Sequence, residues 1–154
     1  MKTILLSFSA DVYNKLLKGN KIFEHRKNFP EGNVKAYLYV SSPVKAITGI
    51  ITLSNRTNID GWLTKYQTDV DAVLRIQKYM RNYRYVMQID TFQQTLVIPL
   101  EKLRKDISGF VVPQMYYYLD NSELLEYLEE KLDIIGDLVA NDFNNIESTQ
   151  ICPD

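Results

Sequence analysis

The chain holds one cysteine and one histidine among its 154 residues. Cys152 has no second cysteine to pair with, so an intrachain disulfide is excluded. Structural zinc sites are built from four Cys and His ligands, and one Cys with one His does not supply such a set. No G-x-S-x-G elbow occurs, and a Ser-His-Asp or Cys-His mechanism would have to run through His25 alone. The chain also lacks G-x-x-x-x-G-K-[ST] and G-x-G-x-x-G, so no glycine-rich loop cradles a nucleotide phosphate. No cofactor or metal is expected. There is no apolar run of about 18 residues, and Ser7, Ser9 and Asp11 break up the first one, so neither a membrane span nor a signal peptide is expected. The expected compartment is the cytoplasm.

What is present is a hydrophobic content of 45%, enough for one domain with a real core. The net charge of −1 hides an asymmetry. Residues 1–110 hold 17 Lys and Arg against 9 Asp and Glu, whereas residues 111–154 hold 1 against 10. A basic body with an acidic end points to an anionic partner for the body, or to a solubilising acidic helix.

Along the chain, "TILLSF" reads as a buried strand, followed by a helix capped by Ser9, with Val12, Tyr13, Leu16 and Leu17 inward and Gly19 as the stop. "KIFEHRKNF" alternates as a strand, which places Ile22, Glu24 and Arg26 on one face and Lys21, Phe23, His25 and Lys27 on the other. His25 is then a surface residue. "VKAYLYV" predicts a half-buried strand with Lys35, Tyr37 and Tyr39 outward, and "VKAITGIITLS" a second one with a bulge or bend at Gly49. Asp69 caps a helix over "VDAVLRIQKYM", whose inward face is read as Val70, Val73, Leu74, Gln77 and Met80. "YRYVMQIDTF" is a strand, "PLEKLRKDI" a short helix started by Pro99, and "NSELLEYLEEKLDIIGDL" a helix with Leu124, Leu125, Leu128 and Leu132 inward. The last fifteen residues, Ala140 to Asp154, carry no periodicity and are expected to fray. The predicted class is α+β: a small, curved, mostly antiparallel sheet or barrel with inserted and flanking helices.

Gly19, Lys21, Glu24 and Arg26 form the run G-x-K-x-x-E-x-R after a short helix. Ser41, Ser42, Pro43, Val44, Lys45 and Ile47 follow as a small-residue loop, and "YRYVMQI", "IPLEKLR" and "GFVVPQMYYYL" come later. Together these resemble the ASCH domain family (activating-signal-cointegrator homology) of the PUA-like superfamily. The resemblance covers residues 1–119, leaving 120–154 as an acidic helix and tail on the same domain. Met115 departs from the serine usual there. The resemblance implies a PUA-like β-barrel with a cleft beside the G-x-K-x-x-E-x-R strand that binds RNA or another nucleic acid. One branch of small members hydrolyses N4-acetylcytidine with a threonine, the lysine and a downstream glutamate. Glu24 stands at the threonine position and is no alcohol nucleophile, which counts against that chemistry.

Lys21, Glu24 and Arg26 are therefore the candidate ligand-binding set, with Ser42 and Lys45 beside them. Lys18, Lys27, Lys35 and Arg84 are candidate phosphate tethers. A carboxylate accepts from a base amine, and a guanidinium fork reads a phosphate or base edge. The bland alternative is a salt bridge between Glu24 and Arg26 worth ~0 to 1 kcal/mol. Eleven tyrosines are present, and "YMRNYRY" interleaves them with Arg81 and Arg84 in the pattern that stacks splayed bases, though packing of the rings in a sheet is the simpler use. The expected partner is RNA or a nucleotide-like ligand. A hydrolase of a modified nucleoside or RNA, amidohydrolase or ribonuclease, with Lys21 as electrophilic stabiliser and Glu24 as general acid or base, is the alternative. A third possibility is a protein partner on the acidic helix, which would need its leucines at least partly exposed.

Overall fold

The computed structural model describes residues 1–153. The elements in chain order are β1 (Lys2–Phe8), α1 (Ala10–Leu17), β2 (Phe23–Arg26), β3 (Val34–Val40), β4 (Ala46–Asn58), α2 (Gly61–Lys65) and α3 (Val70–Met80). Then follow β5 (Tyr85–Pro99), α4 (Leu100–Asp106), β6 (Tyr116–Tyr118), α5 (Glu123–Lys131), β7 (Val139–Ala140) and a 3₁₀ turn, Ser148–Gln150. All seven strands form one curled sheet of order β2-β5-β4-β3-β1-β6, with β7 added to β5. Only β1 and β3 run parallel; the other pairs are antiparallel. The expected α+β class and curled, mostly antiparallel sheet are thus what the chain forms.

The helix caps follow the side chains that can accept from a free amide. Ser9, Asp69 and Ser122 each accept from the amide three residues on, at Val12, Ala72 and Leu125, satisfying donors that the first helical turn leaves open. The sheet bends where β4 slips register around Thr48. Gly49 sits there with so little room that an added Cβ would stand 3.0 Å from Phe92 Cε1 and 3.2 Å from the Gln93 carbonyl. α1 lies over the bend, and the Tyr13 hydroxyl donates to the Thr48 carbonyl at 3.0 Å. Gly49→Ala is expected to cost about 1–3 kcal/mol through overpacking of this crossing; urea unfolding checks it, and a change below ~0.5 kcal/mol would show that Phe92 yields freely.

Three apolar clusters fill the two faces of the sheet. One runs under α1 and includes Ile4, Leu6, Leu38, Ile51 and Phe92. A second lies under α4 and α5 with Leu5, Tyr37, Tyr39, Ile47 and Leu103. The third joins Phe23, Ile59, Ile76, Val86, Ile151 and Cys152.

Three expectations change here. β3 is buried on both faces, so Tyr37 and Tyr39 are core residues and cannot stack on bases. The reason is its central place between β1 and β4, with a helix-covered cluster behind it. The inward stripe of α3 is Ala72, Ile76 and the half-buried Tyr79, while Val70 and Leu74 are 71% and 60% exposed. The small alanine lets α3 approach the sheet, and a count of apolar residues favoured the wrong face. The inward face read for α5 does hold: Leu124 and Leu128 are buried in the chain's own second cluster, with Leu125 and Leu132 packed against it. Finally, the last residues do not fray: Ile151 and Cys152 are fully buried. Asp154, the end of that expected frayed stretch, lies outside the described residues.

Candidate functional site

β2 is shorter than the alternating run, beginning at Phe23. Lys21 therefore precedes the strand rather than obeying its alternation, and its side chain folds back. Its ammonium donates to the Phe23 carbonyl at 2.7 Å and lies 3.6 Å from Glu24 Oε1. Glu24 is 5% exposed. The same Oε1 accepts from the His25 amide at 3.0 Å and stands 3.7 Å from Arg26 Nε. Oε2 is buried with no hydrogen-bond partner. A buried carboxylate with one oxygen held by two cations and an amide, and the other without a donor, is costly unless something donates to it.

Arg26 does a different job. Its Nη2 donates to the Ser7 carbonyl at 2.7 Å, and its guanidinium lies over the Phe8 ring. β2 is one edge of the curled sheet, and β1 lies beside the opposite edge. The arginine thus ties the two margins of the curl together while orienting Glu24, and it does not line the cleft described next.

That cleft, of about 320 Å³, lies between α1, β2 and α3. Its walls include Lys15, Lys21, Glu24, His25, Lys78, Tyr79, Asn82 and Tyr83, with Gln150 and Pro153 closing one side. The size sits at the small end of the ~300–1,000 Å³ range of ligand pockets, enough for one nucleoside-sized group. Among its described lining residues Glu24 is the one carboxylate, against three lysines.

His25 is not on the surface. It is 6% exposed, ringed by Trp62, Tyr79 and Tyr83, with Cys152 Sγ 4.0 Å from its Nε2. The α2–α3 insertion and the final segment fold over its side of β2, which strand alternation alone could not reveal. Burial, with help from the Lys21 charge, pushes its pKa down to about 3. Burial likewise pushes the Cys152 thiol up to about 12. At neutral pH the pair is an uncharged imidazole beside an uncharged thiol, which offers no thiolate nucleophile. Nothing in the sequence pointed to this pairing, because 127 residues separate the two.

The remaining candidates scatter. Ser42 and Lys45 lie in the exposed turn between β3 and β4 and line no part of the cleft. Lys18 is exposed at the end of α1, next to the cleft-lining turn of that helix but outside it. Lys35 lies over the Tyr37 ring on β3, away from the cleft. Lys27 and Arg84 meet in a second pocket, of about 320 Å³, with Asn28, Arg81, Asn82 and Tyr83. No helix among the described residues is long and apolar enough to cross a membrane. No group of three or more potential metal ligands is found among them either.

No model of a protein family matches the sequence, and no curated protein does. Solved structures do match. The ASCH protein from Zymomonas mobilis superposes with a TM-score of 0.59 at 19% identity, over 84% of this chain and 95% of that one. A serine-to-alanine variant of it gives 0.61 at 17% identity over 83% and 95%, and a tyrosine-to-phenylalanine variant gives 0.59 at 16% over 84% and 99%. At such identities the likeness shows a shared fold: this chain has the PUA-like fold of ASCH domains.

Proposed function

We propose that the chain binds single-stranded RNA, or a nucleotide-like ligand, by taking one base into the cleft beside Glu24. The observation that carries this reading is the unpartnered Glu24 Oε2. A carboxylate only accepts, so the group that completes it must bring a donor, and the exocyclic amines and ring imino groups of bases supply one. Tyr79 and Tyr83 add aromatic faces on the cleft wall, and Lys15, Lys21 and Lys78 add positive charge where a sugar-phosphate chain would pass. The fold likeness agrees with this reading but does not carry it, since one fold hosts many functions.

The test is fluorescence anisotropy with short labelled single-stranded RNA at two salt concentrations, with the RNA weighed afterwards by mass spectrometry. Binding should weaken steeply with salt, by roughly tenfold or more between 50 and 200 mM. Glu24→Gln removes the acceptor while keeping the shape, and is expected to weaken binding by about tenfold, since a donor then faces a donor. Absence of binding at low salt would sink the proposal. The Lys21–Glu24 contact also suits acid–base work, so a shortened or altered RNA in the mass spectrum would favour hydrolysis in the same cleft over simple binding.

A further inference from the structure

The second pocket shares a wall with the first. Asn82 and Tyr83 line both. They follow the end of α3, where the Tyr83 amide donates to the Tyr79 carbonyl, and the next amide, of Arg84, donates to the Arg26 carbonyl on β2. The ridge between the pockets is thus anchored to the strand that carries Glu24. Tyr83 stands on that ridge, 39% exposed.

The charge on the far side of the ridge is of one sign. Lys27, Arg81 and Arg84 line the second pocket, and no carboxylate does. Elsewhere the chain neutralises some of its cations internally: Arg56 pairs with Glu31, Lys102 with Asp106, and Lys21 and Arg26 with Glu24. Among the described residues none of Lys27, Arg81 and Arg84 has an ion-pair partner, although the chain's nearly balanced charge leaves acids enough. Arg84 is also held in place, its guanidinium 5.1 Å from the Tyr85 ring centre. Two arginines and a lysine gathered around one small pocket repel each other, and an anion relieves that repulsion. A phosphate, with oxygens for two guanidinium forks, fits this set better than a single carboxylate does.

We propose that this pocket is a phosphate subsite contiguous with the base cleft, so that the ligand is a phosphorylated nucleotide or RNA chain and not a bare nucleoside. The inference rests on the reading of the Glu24 cleft as a base site and adds which class of base-bearing molecule enters it. The tyrosine on the ridge lies between the base and its phosphate. Lys27, Arg81 and Arg84 fall on three separate places in the chain, the end of β2 and both ends of one short connection, and the fold brings them to one pocket.

The experiment measures dissociation constants of adenosine, cytidine, their 5′-monophosphates and a single-stranded tetranucleotide. Each is titrated into the wild-type chain, an Arg81→Gln, Arg84→Gln double variant and a Lys27→Gln variant. All three residues are exposed, so the fold should survive, and matching unfolding curves confirm it. The phosphorylated probes are expected to bind about tenfold or more tighter than the nucleosides, with the double variant abolishing that gain and leaving nucleoside binding within about twofold. A gain for the monophosphate marks a terminal phosphate as sufficient, and a gain for the tetranucleotide alone marks a linking phosphate; both support the subsite. Equal binding of nucleosides and phosphorylated probes overturns it while leaving the base cleft standing, as does a gain that the double variant retains. If no probe binds the wild type, the base reading fails, and the subsite with it.

Discussion

Ile151→Ala is expected to destabilise the chain by about 2–5 kcal/mol, the usual cost of emptying a buried isoleucine site. Ile151 is fully buried, in a cluster with Phe23, Ile59, Ile76 and Val86. The segment that carries it is tied down at several points. Arg75 donates to the Ser148 carbonyl, Ser148 donates to Asp69, and the Tyr79 hydroxyl donates to the Pro153 carbonyl. The Ser148 bond is also the largest reason that the Asp69 carboxyl is held below its usual range. Urea unfolding gives the number, with Leu138→Ala, at an exposed position, as a control within about 0.5 kcal/mol of wild type. A loss below ~1 kcal/mol for Ile151→Ala would mean that this segment is not seated against α3, and one wall of the cleft beside Glu24 would go with it.

Stability is also expected to fall as the pH drops below 6.5, and His25 is the cause. The sign follows from the direction of the shift. Unfolded, the imidazole takes a proton near its ordinary pKa of about 6.5; folded, it resists until about pH 3. The unfolded chain therefore binds more protons in between, and each pH unit costs up to about 1.4 kcal/mol. From pH 6.5 to 5 the loss should be about 1.5 kcal/mol. This window belongs to His25 because it is the one histidine, and carboxylates titrate mainly below it. Asp69 and Asp106, both held below the usual range, add their loss only at still lower pH. His25→Phe keeps a ring among Trp62, Tyr79 and Tyr83 and removes the proton. Denaturant titrations at pH 6.5, 5.75 and 5 should show a clear slope for wild type and a nearly flat line for the variant. Equal slopes would place the effect on other groups.

Much of this architecture was legible in the chain. Ser9 and Asp69 marked helix starts through the chemistry of their short oxygen side chains, as Ser122 does in the fold, and Gly49 marked the bend of β4, where a side chain would crowd Phe92. The run from Gly19 to Arg26 and the later "VVPQMYYYL" pointed together to the ASCH fold. Where the pattern failed, a long-range contact had overruled a local period. β3 alternates like a half-buried strand, yet helices from the chain's later half cover its second face. His25 obeys strand alternation, and the face it points to is covered by residues that arrive some forty to 127 positions later. Strand alternation puts Lys21 on the face opposite Glu24 only if the strand already begins there; since β2 begins at Phe23, the lysine is free to reach the carboxylate. The run "YMRNYRY" offers basic and aromatic side chains together, but only folding shows that it stands beside Glu24 and not beside Lys35 or the buried Tyr37 and Tyr39.

The most direct test of the account follows backbone amides by ¹⁵N-resolved NMR while a short single-stranded RNA is titrated in at low salt. The His25 amide donates to Glu24 Oε1 and so reports on whether a ligand reaches that carboxylate. The account predicts saturable shifts at His25, Asn82, Tyr83 and Arg84, with the His25 shift lost in Glu24→Gln. Shifts confined to surfaces away from the cleft, such as the turn at Ser42 and Lys45 or the outer side of α5, would contradict it.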